Sequence, residues 1–219
     1  MDKYCPIEAA TPGFPRKLTW DDFRTVEDPG EPFEALTYPQ YEVTAWGFTA
    51  GSAPGDRRGA YFVDPFKVTV RLLADKSWAR PSAKSNMRLL AHEQGHFDII
   101  GLLARDIVRR VRALRVYGPE LLNANDSRAG CRLLQEKVKR VLDRANSLRT
   151  ALQTGGIGGE PVYDSDTDHG LDEKAQREWS QMLQHIKVHN LSLEDTLVQR
   201  GFVVLVSDPP NGPIIFSGQ

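Results

Sequence analysis

The chain has 219 residues, and its 28 basic and 29 acidic side chains leave a formal net charge of −1. With 40% hydrophobic residues it can bury a substantial core, and we expect a single domain over residues 1–219. The balanced charge offers no large positive field, so we expect no nucleic-acid partner. No apolar run is long enough to predict a membrane span.

The first half of the chain predicts a small sheet after a lead-in. Residues 1–40 are rich in proline and predict an extended segment with a short element at residues 19–23. Strand signals follow at residues 41–49 and 63–73. In the second strand, apolar residues alternate with polar ones: Phe66, Val68, Val70 and Leu72 with Lys67, Thr69 and Arg71. We expect an antiparallel sheet with one exposed face, whose edge could pair with an extended peptide.

The most informative segment is His92-Glu93-Gln94-Gly95-His96, in a stretch with helical periodicity. Residues four apart share a helix face, so both imidazoles can reach one metal ion. Apolar residues continue that face in both directions: Leu89, Ile100, Leu103, Ile107, Val111 and Leu114. A buried histidine face favours an internal metal site. The alternative is a pair of core histidines that have other hydrogen-bond partners, with Glu93 as an ordinary surface charge.

Zinc explains why these residue types occur together. It binds neutral imidazole nitrogens at roughly 2.0–2.1 Å, and a catalytic site keeps one position for a water whose pKa falls to about 7. Glu93 is predicted to accept the proton of that water and to pass it to the leaving amine. The segment therefore predicts a zinc-dependent hydrolase of peptide or protein substrates.

The helix that carries the histidines is predicted to start after Pro81, with Ser82 or Ser85 as its cap, and to end at Gly118-Pro119. Its opposite face carries three arginines, which we interpret as a solvated surface rather than a phosphate-binding patch: Arg105, Arg109 and Arg112.

A second long helix is predicted from Asp126 or Ser127 to Leu152. Its apolar seam repeats at steps of four and three: Leu134, Val138, Val141, Ala145, Leu148 and Leu152. We expect this seam to cover the histidine helix, although the same pattern could form a coiled-coil dimer. The sequence does not decide the oligomeric state.

The last third predicts shorter elements. The glycine-rich residues 154–159 predict a flexible connection, and a helix starting near Leu171 carries His185 and His189, whose spacing is a weaker second metal candidate. A short helix capped by Ser192 is predicted to end at Gly201. Residues 202–206 predict a strand and residues 207–219 a surface coil.

Three segments resemble the bacterial domain-of-unknown-function family 922: residues 89–99, residues 163–170 with the following Gln176 and Trp179, and the opening residues 18–23. The likeness covers most of the chain, from about Leu18 to Trp179. That family is grouped with the zincin-type zinc metallopeptidases. The resemblance implies an α+β, zincin-like fold, in which a long active-site helix and further helices pack on a small antiparallel sheet.

A third protein ligand is still needed. Ile99 and Leu102 occupy the positions where the metzincin pattern needs glycine and histidine, which excludes that arrangement. Glu120 and Glu136 are candidates from the following helix, but no paired motif orients them.

The segment that resembles the second family motif favours His169 as the third ligand. One of the aspartates around it is the alternative, either as ligand or as acceptor of a second ring N–H: Asp164, Asp166 or Asp168. Tyr163 is predicted to donate a hydrogen bond to a tetrahedral oxyanion, or to be an ordinary packed tyrosine.

The sequence is compatible with two compartments. The first twenty residues lack the apolar stretch of a signal peptide. Because the family is largely exported, we expect a periplasmic or secreted location if a signal segment has been removed, and a cytoplasmic one otherwise. Cys5 and Cys131 could pair in an oxidising compartment or remain free. The alternative to a peptidase is a non-hydrolytic, zinc-containing domain that binds peptides or an envelope partner.

Overall fold

Two long strands form the frame of the protein in the computed structural model, which describes residues 3–7, 16–52, 59–117, 127–154 and 161–201. Strand β4, Pro39–Ser52, pairs antiparallel with β5, Gly59–Leu72. The predicted antiparallel sheet is confirmed, and both strands are longer than predicted. On the other side of β5 lie β1, Lys3–Ile7, and β7, Arg115–Tyr117, both antiparallel to it.

The alternating pattern of β5 explains which side of the sheet is buried. Phe66, Val68, Val70 and Leu72 are each 2% exposed or less, whereas Lys67 between them is exposed. Successive side chains of a strand point to opposite faces, so the apolar set forms one continuous surface. Helix α1, Met87–Ala113, packs on this sheet.

The described residues of the lead-in form more secondary structure than predicted. β1 uses the backbone of residues 3–7 to pair with the second half of β5, a contact that side-chain periodicity does not signal. A 3₁₀ turn, Trp20–Asp22, confirms the predicted short element. Three two-residue strands form a separate small sheet in the order β2-β6-β3: β2, Arg24–Thr25; β3, Ala35–Leu36; β6, Trp78–Ala79.

Helix α1 spans Met87–Ala113. The predicted start was wrong, because Pro81–Ser85 forms a 3₁₀ helix and the cap is Asn86, whose side chain accepts from the backbone N–H groups of Arg88 and Leu89. The predicted end was also too late. The chain leaves the helix at Leu114 because the next residues pair with β5 as β7. Gly118-Pro119 lies outside the described residues.

Helix α2, Ser127–Arg149, continues into a π-helical turn, Thr150–Thr154. It packs on α1 within the chain, as we expected. Most of its predicted seam is buried, with Leu134, Leu148 and Leu152 each at most 1% exposed. The predicted helix from Ser127 to Leu152 is therefore confirmed, apart from the change of helix type in its last turn.

Three helices complete the described fold: α3, Val162–Thr167; α4, Glu173–Val188; and α5, Leu193–Gln199. The Ser192 side chain caps α5 as predicted, by accepting from the backbone N–H of Asp195. The predicted strand at residues 202–206 and the coil at residues 207–219 lie outside the described residues.

The arginine face of α1 is only partly solvated: Arg112 is exposed as predicted, Arg109 is half-buried, and the interpretation was wrong for Arg105. Arg105 is only 4% exposed and donates to the backbone carbonyls of Ile186 and Leu191. Arg109 donates to Asn190. The end of α4 and the turn that follows it lie against Arg105 and Arg109, whose guanidinium groups donate to backbone carbonyls there.

The described elements confirm the α+β class. No helix within those residues combines the length and apolar character that a membrane crossing requires. Cys131 is a free, half-buried thiol, while the side chain of Cys5 lies outside what the structure describes.

Candidate metal centre

Three side chains from two helices converge in the interior. His92 and His96 lie one turn apart in the first half of α1, and Asp164 lies in the first turn of α3. The Nε2 atoms of the two histidines are 3.2 Å apart. Asp164 Oδ1 is 3.1 Å from Nε2 of His92 and 2.9 Å from Nε2 of His96. These residues form a buried group able to hold a metal ion.

The spacing of these donor atoms fits a small divalent cation. Tetrahedral zinc with bonds of roughly 2.0–2.1 Å holds its donor atoms about 3.3 Å apart. All three separations observed here, from 2.9 to 3.2 Å, are close to that value. Asp164 Oδ1 is buried and makes no hydrogen bond of acceptable geometry, although two imidazole nitrogens lie beside it. A buried carboxylate oxygen that lies beside two ring nitrogens without a hydrogen bond to either is the arrangement expected of a metal ligand set.

The third ligand differs from our first choice. His169 is not part of this group; it has a left-handed backbone (φ 52°) in the turn after α3, and its ring packs on Phe33 at 5.4 Å. Asp164, which we named as an alternative, is in the group. The reason is that the first turn of α3 places Asp164 beside α1, whereas His169 lies in a left-handed turn where its ring packs on Phe33 instead.

The other two aspartates have different surroundings. Asp166 accepts a hydrogen bond from the indole N–H of Trp179. Asp168 is exposed and ends α3 in a left-handed conformation (φ 47°). The left-handed turn continues to Gly170 (φ 82°), where a Cβ atom would lie 2.9 Å from the Cβ of His92. The turn can therefore approach α1 closely only with glycine at position 170.

Tyr163 is completely buried between the site and α4. Its ring stacks on the His92 ring at 4.9 Å with an interplanar angle of 9°. Its hydroxyl donates to the His92 backbone carbonyl at 3.2 Å, and burial raises its pKa above the ordinary range. These contacts favour the packed alternative: the tyrosine supports a ligand.

Glu93 is 3% exposed and follows the first ligand directly. Its charge helps to raise the pKa of His96 and of Tyr163. It is not a member of the three-ligand group. The general-base role of Glu93 stays a prediction.

The charged groups of the site shift one another's pKa values. Burial lowers the pKa of His96, but the neighbouring carboxylates of Asp164 and Glu93 outweigh it, so that the pKa is raised above 6.5. Burial raises the pKa of Asp164, but the two imidazoles outweigh it, and this pKa lies well below its ordinary value of 3.8. An anionic Asp164 between two imidazoles attracts a proton or a metal cation.

Two residues that the sequence did not assign to the site contact the ligands from outside. Gln176 Oε1 lies 3.1 Å from His92 Nδ1, and Gln153 Oε1 lies 3.2 Å from His96 Nδ1. The sequence marks Gln176 only through the family resemblance. No motif in the sequence marks Gln153 as a site residue. Its contact with His96 depends on the position of the π turn, which the residue pattern does not predict.

The second histidine pair has another environment. His185 and His189 are both exposed, with ring centroids 4.3 Å apart at the end of α4. Within the residues that can be described, no third ligand joins them. The pair therefore does not form a second centre of the same kind there.

Comparisons with family models, with curated proteins and with solved structures find no match for this chain.

Proposed function

We propose that this protein is a zinc-dependent metallopeptidase that hydrolyses peptide bonds. One observation carries the proposal. The Nε2 atoms of His92 and His96 and Oδ1 of Asp164 lie within 3.2 Å of one another, and the buried Glu93 directly follows His92 in the helix. Two imidazoles and one carboxylate form a ligand set used by catalytic zinc sites, with a further position for water.

Each residue has a defined task in this proposal. A bound zinc ion would supply a water of lowered pKa and polarise the scissile carbonyl group. His92, His96 and Asp164 hold the ion. The Glu93 carboxylate takes the proton from the attacking water and delivers it to the leaving nitrogen. Tyr163 keeps the His92 ring in place through its stacking contact.

A peptide substrate is supported by the sheet. In the described fold β4 is an outer strand of the sheet that packs on α1. The free edge of such a strand can pair with an extended peptide through backbone hydrogen bonds, while side-chain pockets determine specificity.

One observation favours a second candidate, a non-hydrolytic zinc-containing domain that binds a peptide or an envelope partner. His92 and Glu93 are each 3% exposed, and Tyr163 is fully buried. Structural zinc sites are closed, whereas catalytic sites keep a position open for substrate. In this alternative Glu93 balances the charge of the ion and moves no proton.

The Glu93→Gln variant separates the two candidates. With zinc-loaded protein and a mixture of unrelated peptides, we expect the wild type to cleave and the variant to lose at least a hundredfold in rate. Zinc content, measured by elemental analysis, should stay the same in both. Glu178→Gln, an exposed change on α4, is the matched control and should cleave normally. Zinc-loaded wild type that cleaves none of the peptides would favour the binding domain.

Elemental analysis of protein purified without a histidine tag tests the ion itself. Two histidines and one carboxylate also form the facial triad of non-haem iron sites. Stoichiometric zinc supports the proposal. Stoichiometric iron in its place would contradict it and direct attention to redox chemistry.

A further inference from the structure

Two glutamine amides contact the outer nitrogens of the ligand histidines. Gln176 of α4 faces Nδ1 of His92, and Gln153 of the π turn faces Nδ1 of His96. We propose that Gln153 and Gln176 are positioning residues that impose the Nδ1–H tautomer on both rings, so that both Nε2 lone pairs face the metal. This inference rests on the metal centre of the proposed function but not on peptide hydrolysis.

The orientation of the Gln153 amide follows from its second contact. Its Nε2 donates to the backbone carbonyl of His96 at 3.2 Å. A carbonyl group can only accept, so the NH₂ end of the amide must face it. The Oε1 end then faces the imidazole, and an amide oxygen can only accept as well. His96 Nδ1 must therefore carry the hydrogen, and its Nε2 is left with a lone pair.

The Gln176 amide is oriented by a longer chain of contacts. Tyr163 donates its hydroxyl hydrogen to the His92 carbonyl, so the hydroxyl oxygen is free to accept. Gln176 Nε2 donates to that oxygen at 3.0 Å, which is shorter than the 3.3 Å between the same oxygen and Oε1. Gln176 Nε2 also lies 3.2 Å from the hydroxyl oxygen of Ser180. Gln176 Oε1 therefore faces His92 Nδ1 and makes that nitrogen a donor.

The two tautomers together create a site that favours a cation. The Nε2 lone pairs lie 3.2 Å apart and face Asp164 Oδ1, which itself has no hydrogen bond. Three electron-rich atoms at this separation repel one another in a buried environment, and a cation between them removes the repulsion. The amides are neutral, so they orient the ligands without adding charge; the carboxylates of Asp164 and Glu93 balance a divalent ion.

The π turn explains how Gln153 reaches the site. Ala151 and Leu152 are buried in the core, at 3% and 1% exposure, and the next residue contacts His96. π-helical turns are rare and are frequent at functional sites. Here the turn lets α2 bury its last apolar residues and still place the following amide against a ligand.

Zinc affinity of four variants tests the inference. Zinc affinity is measured by competition with a chelator. We expect Gln153→Leu and Gln176→Leu to bind zinc 10–100-fold more weakly than the wild type, which is the loss typical when a residue that hydrogen-bonds to a metal ligand is replaced. Gln153→Glu and Gln176→Glu should stay within a few-fold of it, because a carboxylate also accepts from Nδ1–H. Gln184→Leu, an exposed change on α4, is the matched control and should not alter the affinity.

The contrast between glutamate and leucine separates positioning from a merely structural role. Glutamate cannot donate to the His96 carbonyl or to Tyr163, so if those contacts were the function of the amides, both substitutions would weaken zinc binding equally. Equal losses would overturn the inference, and so would leucine variants with unchanged affinity. Far-ultraviolet circular dichroism and the melting temperature of the metal-free protein show whether each variant folds.

Nuclear magnetic resonance of the zinc-loaded protein gives a readout for each ring. Gln153→Leu should shift the Nδ1–H signal of His96 and leave that of His92 in place, and Gln176→Leu should do the reverse. Shifts of both signals in either variant would overturn the inference. If the wild type binds no zinc, the inference and the proposed function both fail. If the predicted affinity pattern occurs without peptide cleavage, only the peptidase proposal fails.

Discussion

Gly95 and Tyr163 occupy adjoining space at the centre of the molecule. A Cβ atom on residue 95 would lie 2.0 Å from the Tyr163 hydroxyl oxygen and 2.5 Å from the ring carbon that bears it. The tyrosine ring stacks on His92, and its hydroxyl donates to the His92 carbonyl. The glycine between the two histidines therefore makes room for the side chain that supports the first of them.

Gly95→Ala should consequently destabilise the protein, although alanine favours helix formation over glycine by about 1 kcal/mol. The added methyl group must displace a fully buried ring, and overpacking of this kind typically costs about 1–3 kcal/mol. We expect a lower free energy of unfolding in urea and weaker zinc binding.

Tyr163→Phe provides the control for this effect. Removing the hydroxyl removes the closest atom, so the double variant should lose less stability than the sum of the two single variants. If the stability losses of the two single variants simply add in the double variant, contact with the Tyr163 hydroxyl is not what destabilises Gly95→Ala.

The identity of the third ligand is tested by a pair of substitutions. Asp164→Ala removes the carboxylate that completes the group, so we expect stoichiometric zinc to be lost or its affinity to fall by several orders of magnitude. His169→Ala should retain zinc, because its ring packs on Phe33. Elemental analysis after dialysis compares the two. Zinc loss in His169→Ala with retention in Asp164→Ala would restore our first choice.

The pH dependence of the metal-free protein follows from the His96 and Asp164 pKa values. The pKa of His96 is raised, so its contribution to stability is present below its ordinary value of 6.5 and is lost as pH rises through the raised value. The pKa of Asp164 is lowered, so its contribution is present above 3.8 and is lost as pH falls toward the lowered value. We expect urea unfolding of the metal-free protein to show greatest stability between about pH 4 and 6.5.

The affinity for zinc should increase with pH where the stability of the metal-free protein decreases. A metal displaces the proton from His96, so affinity should rise with pH through the same range in which the metal-free protein loses stability. Asp164→Asn, which removes the carboxylate that raises the pKa of His96, should flatten the metal-free profile. A wild-type profile without a maximum would contradict the charge coupling described above.

Metal removal should lower the melting temperature. A ligand that binds only the folded state at a concentration a thousand times its dissociation constant stabilises that state by about 4.1 kcal/mol. We therefore expect chelation to lower the midpoint of thermal unfolding and added zinc to restore it. His92→Ala should show no zinc-dependent change, whereas Glu93→Gln should respond like the wild type. A response to zinc in His92→Ala would place the bound metal elsewhere.

The sequence by itself determined the features that depend on local periodicity. A step of four residues puts His92 and His96 on one helix face, and alternation in β5 puts Phe66 and Val68 on one side of a sheet; neither relationship needs knowledge of the rest of the chain. The buried surroundings of the histidines, the approximate bounds of α2 and the cap of α5 follow from the same short-range rules.

Only the tertiary structure decided what meets across long stretches of chain. Asp164 rather than His169 joins the histidines because the first turn of α3 lies beside α1, whereas the left-handed turn at residue 169 places the His169 ring against Phe33. Gln153 reaches His96 only because α2 ends in a π turn, and Arg105 is buried because the end of α4 folds over it. Such contacts depend on packing between elements distant in sequence, and the residue types alone do not specify that packing.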